Sequence, residues 1–120
     1  MKYMLLMYAN ESVELTTPAE QEAVAPEVWF ALMKEMKDAG VLRSNTGLAP
    51  TSTATTVRVR EGKSLITDGP FAETHEQLGG YFLIDAKNLD EALAIAARVP
   101  MARRGTVEVR PVIELAGLPT

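Results

Sequence analysis

Between Lys2 and Ala9 apolar side chains fill both sets of a period-two pattern, with Tyr3, Leu5, Met7 and Ala9 on one face and Met4, Leu6 and Tyr8 on the other. Such a run predicts a strand covered on both sides. Gly79 to Ala86 reads the same way, with Phe82 and Ile84 opposed to Tyr81 and Leu83. From Thr53 to Arg60 the pattern is half-polar, Val57 and Val59 alternating with Arg58 and Arg60. Glu61-Gly62 and the run Lys63 to Thr67 then predict its return as a hairpin. The last strand is expected from Thr106 to Leu115, with Val107, Val109 and Ile113 on one face against Glu108, Arg110 and Glu114 on the other.

Helical spacing takes over in two regions. Thr17-Pro18-Ala19-Glu20 places a cap, a proline at the first helical position and an acid at the third. Pro26 cannot continue that helix, so it opens a second segment running to about Ala39, with Val28, Leu32, Met36 and Ala39 on one stripe, Trp29 and Met33 beside it, and Gly40 as its end. Asn88 caps a later helix that stops before Pro100 and buries Leu89, Ala92, Ala96 and Val99. The order strand, helix, hairpin, strand, helix, strand suits an α+β domain with helices on one face of an antiparallel sheet. The other face is also apolar, at Met4 or Leu5, at Leu6 or Met7, and at Tyr81 and Leu83. A second copy of the chain is its simplest cover.

Composition narrows the chemistry. The 120 residues make one domain of residues 1–120, and a formal charge of -4 without a basic run argues against nucleic acid as a direct partner. Without cysteine there is no disulfide, thiolate metal site or thiol nucleophile. A single histidine and scattered acids give no metal-ligand spacing, and Gly79-Gly80 lacks the surroundings of a phosphate loop, so no cofactor is expected. The opening apolar run is too short for a signal peptide or membrane span, which makes a cytoplasmic protein the expectation.

Candidate chemistry concentrates between Asp68 and Gly80, where polar residues in a connection are free to face a ligand. Asp68 reads as an acid or base at a cavity rim, or as the opening of an Asp-Gly-Pro turn. His75 reads as a proton carrier, or as an exposed residue in the first turn of a short helix capped by Thr74 with Gln77 three residues on. Arg110 reads as an anion holder, or as the partner of Glu108, Glu114 or Asp68. Tyr8, Tyr81 and Phe71 are candidate ligand contacts, with core or interface the alternative for the strand aromatics.

The opening Met-Lys-Tyr-Met-Leu-Leu-Met-Tyr resembles the DGPF-domain branch of the YCII-related family, as do Thr67 to Thr74, Leu78 to Phe82, Asp90-Glu91-Ala92 and Val107 to Val112. The resemblance implies a ferredoxin-like fold that pairs into a dimeric α+β barrel, and, from the gene setting of some members, association with sigma factors. The early His and the Asp-Pro pair of the broader family are absent, since the only histidine is His75 and the matching pair is Val99-Pro100. His75 also stands where the branch usually carries lysine. Two functions follow as expectations: cofactor-independent acid/base chemistry on a small organic molecule through Asp68 and His75, or a non-catalytic ligand-binding or regulatory module.

Overall fold

The computed structural model describes residues 1–119. Its strands are β1 (Lys2–Ala9), β2 (Leu42–Gly47), β3 (Thr55–Arg60), β4 (Lys63–Asp68), β5 (Gln77–Asp85) and β6 (Thr106–Pro111). Its helices are α1 (Pro18–Ala23), α2 (Pro26–Asp38) and α3 (Leu89–Arg98), with single 3₁₀ turns at Thr51–Thr53 and Pro100–Arg103. The four strands β2-β5-β1-β6 form one antiparallel sheet in that order, while β3 and β4 pair only with each other. With the hairpin set aside, the chain runs β1, helix, β2, β5, α3, β6, which is the ferredoxin-like α+β arrangement.

The capping signals act where the sequence places them. Thr17 accepts from the Glu20 amide while the Glu20 carboxylate accepts from the Thr17 amide, so two otherwise unpaired donors are satisfied at the start of α1. Asn88 Oδ1 accepts from the Glu91 amide at 2.9 Å and starts α3. Gly40, at φ +74°, ends α2 in a backbone shape that glycine adopts without steric cost.

One of the two apolar faces of β1 and β5 is covered by the helices. Tyr3, Leu5 and Met7 of β1 and Phe82 and Ile84 of β5 are buried beneath Leu32 and Met36 of α2 and Ala92 and Ala96 of α3. Leu5 and Ile84 are wholly inaccessible, each burial contributing about 1.5–3 kcal/mol. Trp29 meets Phe82 edge to face, ring centroids 5.9 Å apart, and locks α2 over the sheet. Arg98 and Glu35 form an ion pair between α3 and α2. The other sheet face carries Met4, Leu6, Tyr8, Tyr81 and Leu83, all half-buried, beside the exposed Glu108 and Arg110.

Several expectations change. β2, Leu-Arg-Ser-Asn-Thr-Gly, lacks apolar alternation and exists because β5 offers it a free edge to pair with. Val28 and Leu89, expected on buried stripes, are 40% and 47% exposed, because each lies at the first turn of its helix, beyond the sheet beneath. The last strand stops at Pro111, followed by one more bond from the Val112 amide to the Lys2 carbonyl, and Ile113 is exposed. No helix forms after Thr74: its hydroxyl donates to the Glu76 carbonyl and the chain enters β5 directly at Gln77. Among the described residues no helix is long and apolar enough to cross a membrane.

Candidate functional site

Where the sheet meets the hairpin, the chain leaves a cleft of about 570 Å³. One wall is the end of β1 and the start of β5, at Tyr8, Gln77 and Leu78. A second is the apolar connection Leu48-Ala49-Pro50 with the turn that follows. The third is the loop after β4, at Pro70, Phe71, Ala72 and Thr74. A shift in the β1 and β5 pairing after Met7 puts Leu78 opposite Tyr8, so both side chains share the cleft side of the sheet.

Short hydrogen bonds fasten these walls. Gly69, at φ +95°, turns the chain out of β4; its amide donates to the Ala54 carbonyl at 2.7 Å, and its carbonyl accepts from the Thr56 hydroxyl at 2.7 Å. The Asp-Gly-Pro-Phe segment is thus a turn tied to the hairpin base through the glycine rather than through the aspartate side chain. Gln77 donates from Nε2 to the Thr74 carbonyl at 2.6 Å and accepts at Oε1 from the Glu11 amide at 2.8 Å. The Glu11 carboxylate accepts from the Thr51 amide and hydroxyl, at 3.0 and 2.7 Å. Glu76, half-buried, accepts from the Thr106 hydroxyl at 2.7 Å. These links join four separate segments and fasten the walls of the cleft to one another.

Phe71 and Tyr8 meet at this cleft, whereas Asp68, His75, Arg110 and Tyr81 are not among its lining residues. Asp68 is exposed at the end of β4 opposite Thr55. His75 is exposed in the loop. Arg110 is exposed on β6 opposite Met4, on the uncovered sheet face near Tyr81. The side chains sequence reasoning missed are Glu76 and the Leu48 to Thr56 connection. The signal for the latter was an apolar triplet, Leu48-Ala49-Pro50, in a segment with no strand or helix to bury it.

The lining carries two ionisable groups, the Tyr8 phenol and the Glu76 carboxylate, against a surface that is otherwise apolar, hydroxyl-bearing or, at Gln77, an amide. Tyr8 Oη lies 3.5 Å from Glu108 Oε1, at the outer limit of a hydrogen bond, so the phenol is available to a ligand. The Glu76 carboxylate retains acceptor capacity beyond the bond from Thr106. Such a surface can hold an apolar body and orient one donor group. Among the described residues no group of three His, Asp or Glu side chains is placed to hold a metal ion.

A ferredoxin-like α+β fold bearing a preformed apolar cleft beside a hairpin arm is the class of protein these features define. The YCII-related domain matches residues 1–116. An uncharacterised protein of Rhizobium meliloti (strain 1021) is 40% identical over 113 residues, spanning 92% of this chain and 91% of its own length. The chain belongs to the YCII-related family.

Proposed function

We propose that this protein binds a small, largely apolar organic molecule carrying one hydrogen-bond donor, and does so as a homodimer. The observation that carries the binding reading is the cleft itself. Its volume lies within the range of small-molecule sites, its lining is mostly apolar, and one carboxylate, Glu76, supplies the single acidic contact. The carboxylate favours an amine or hydroxyl over an acid, because an anion beside it would be repelled. In this reading Asp68 and His75 stand outside the binding step, and any proton transfer in the cleft falls to Glu76 and Tyr8.

The dimer rests on shape and surface. The chain measures 47 × 46 × 20 Å with a radius of gyration of 16.6 Å, against about 14 Å for a compact domain of this length. It is a slab with an apolar sheet face and a projecting arm. Pairing two slabs across Met4, Leu6, Tyr81 and Leu83 would remove that apolar surface from water.

The test is thermal denaturation with matched aromatic amines, alcohols and carboxylic acids. Ligand at a hundred times its dissociation constant stabilises the folded state by about 2.7 kcal/mol. Amines or alcohols should raise the midpoint and acids should not. Phe71→Ala and Glu76→Gln should abolish the rise, while Asp68→Asn and His75→Ala keep it. Equal stabilisation by acids, or an undiminished response in Glu76→Gln, would overturn the assignment.

A further inference from the structure

On the opposite side of the sheet from the cleft lies a second hollow, of about 300 Å³, between α2 and the β2 edge. Trp29, Phe30 and Met33 form its roof, Phe82 and Met7 its inner wall, and Met101 closes one end. Among the described residues no ionisable side chain lines it. Its floor is the cross-strand pair Gly47 and Gly80, in phase with buried Phe82 and therefore facing the helices.

The two glycines differ in what requires them. A Cβ on Gly80 would stand 2.6 Å from the Thr46 carbonyl oxygen, so the close approach of β2 excludes any side chain there. Gly47 has no such neighbour: its Cβ would meet nothing within 4 Å, and its φ is one that any residue adopts. A glycine inside a strand weakens it, having no side chain to pack and more freedom to lose on folding. Neither backbone nor neighbours require this one. A side chain at Gly47 would instead fill the hollow.

We infer that the hollow is a second binding site, taking an uncharged aromatic molecule of up to three rings. Interiors are close-packed, so a space of this size roofed by Trp29 and Phe30 leaves those rings without partners on one side. An aromatic guest restores them, stacking or meeting rings edge to face and touching the thioethers of Met7, Met33 and Met101. Phe30 is 66% exposed at the mouth, an aromatic surface a guest would cover. The lack of charge in the lining selects against ions, and Asn45 at the edge offers one polar contact.

Trp29 is the only tryptophan in the chain and lines this hollow. Titration with N-phenyl-1-naphthylamine, an uncharged aromatic probe, should give saturable binding of one probe per chain at the hollow, retained in Phe71→Ala where the cleft no longer competes, with Trp29 emission passed to the probe. Gly47→Val should weaken that signal about tenfold or more and Gly47→Ala by a few fold, a graded loss that follows the volume added. Far-UV circular dichroism and the melting midpoint confirm that each variant is folded, and the alanine variant carries the test if the valine variant is not. Unchanged binding in Gly47→Ala, no transfer from Trp29, or a signal that vanishes in Phe71→Ala but persists in the folded Gly47 variants would overturn the second site. The cleft on the other face stands or falls separately, on its response to Glu76→Gln.

Discussion

Gly105→Ala is expected to be among the most damaging single-methyl additions to this chain. Gly105 sits just before β6, where the chain crosses the end of β1. A Cβ there would lie 2.9 Å from the Ala9 Cα and closer still to the Tyr8 carbonyl oxygen. Carbon atoms rest at about 3.5–4.0 Å, so one methyl intrudes by roughly 0.6 Å or more on atoms that cannot rotate away. Both neighbours belong to the backbone of β1, which β5 and β6 hold on its two sides. Overpacking of this kind costs about 1–3 kcal/mol, and rigid neighbours place it near the upper figure. With an unfolding entropy of roughly 2.1 cal/mol/K per residue, a loss of about 3 kcal/mol lowers the midpoint by about 12 °C. Gly47→Ala is the internal control. The same methyl meets nothing there, and restricting the unfolded chain should stabilise by about 0.4–1 kcal/mol, a rise of roughly 2–4 °C. Thermal denaturation of the two variants side by side decides the matter. Equal shifts, or an unchanged midpoint in Gly105→Ala, would show that β6 does not approach β1 as closely as described. Because Tyr8 walls the cleft, the damaged variant should also lose binding there.

The remaining expectations concern core, interface and charge. Leu5→Ala empties the centre of the helix-covered face and should cost about 2–5 kcal/mol in urea unfolding; a cost below 1 kcal/mol would mean that β1 is not central to the core. Leu6→Arg places a charge on the uncovered sheet face and should turn a particle of twice 13.1 kDa into one of 13.1 kDa in sedimentation, with the fold intact. A wild-type protein already sedimenting as the smaller particle would refute the dimer. The Arg98 guanidinium beside Glu35 holds that carboxyl below its ordinary value of 4.5. The pair therefore adds stability above that value and loses it as pH falls through the lowered one. In Glu35→Gln, stability should decline less steeply as pH is lowered below about 4.5; an unchanged acid limb would show that the pair contributes nothing in solution.

Short-range chemistry was legible before any coordinates. The Thr17 and Asn88 caps, the break at Pro26, the end at Gly40 and the hairpin around Glu61-Gly62 all depend on neighbours within four residues, and each formed where the residues indicate. The helix-covered faces of β1 and β5 were legible for another reason, since a core leaves apolar residues on the faces it covers. β2 was not legible, because an edge strand of polar residues is held by the partner it finds rather than by its own pattern. Residues 74–77 misled in the opposite sense: a capping pattern was present, yet Thr74 bonds to Glu76 and Gln77 in a turn while Glu76 and Gln77 are tied to Thr106 and Glu11, which left no helix to cap.

By itself, then, the sequence determined the three helices, the hairpin and the strands β1, β5 and β6, where most of them start, and that β1 and β5 are apolar on both faces. The tertiary structure decided which residues share a surface. Phe71 and Tyr8, sixty-three positions apart in the chain, line one cleft because a turn through Gly69 and a shift in strand pairing aim them at the same space. Asp68 and His75 flank Phe71 in sequence yet do not line that cleft. Caps and periodicity act over one or two turns of chain. A cleft is made of long-range approaches whose partners no local pattern names.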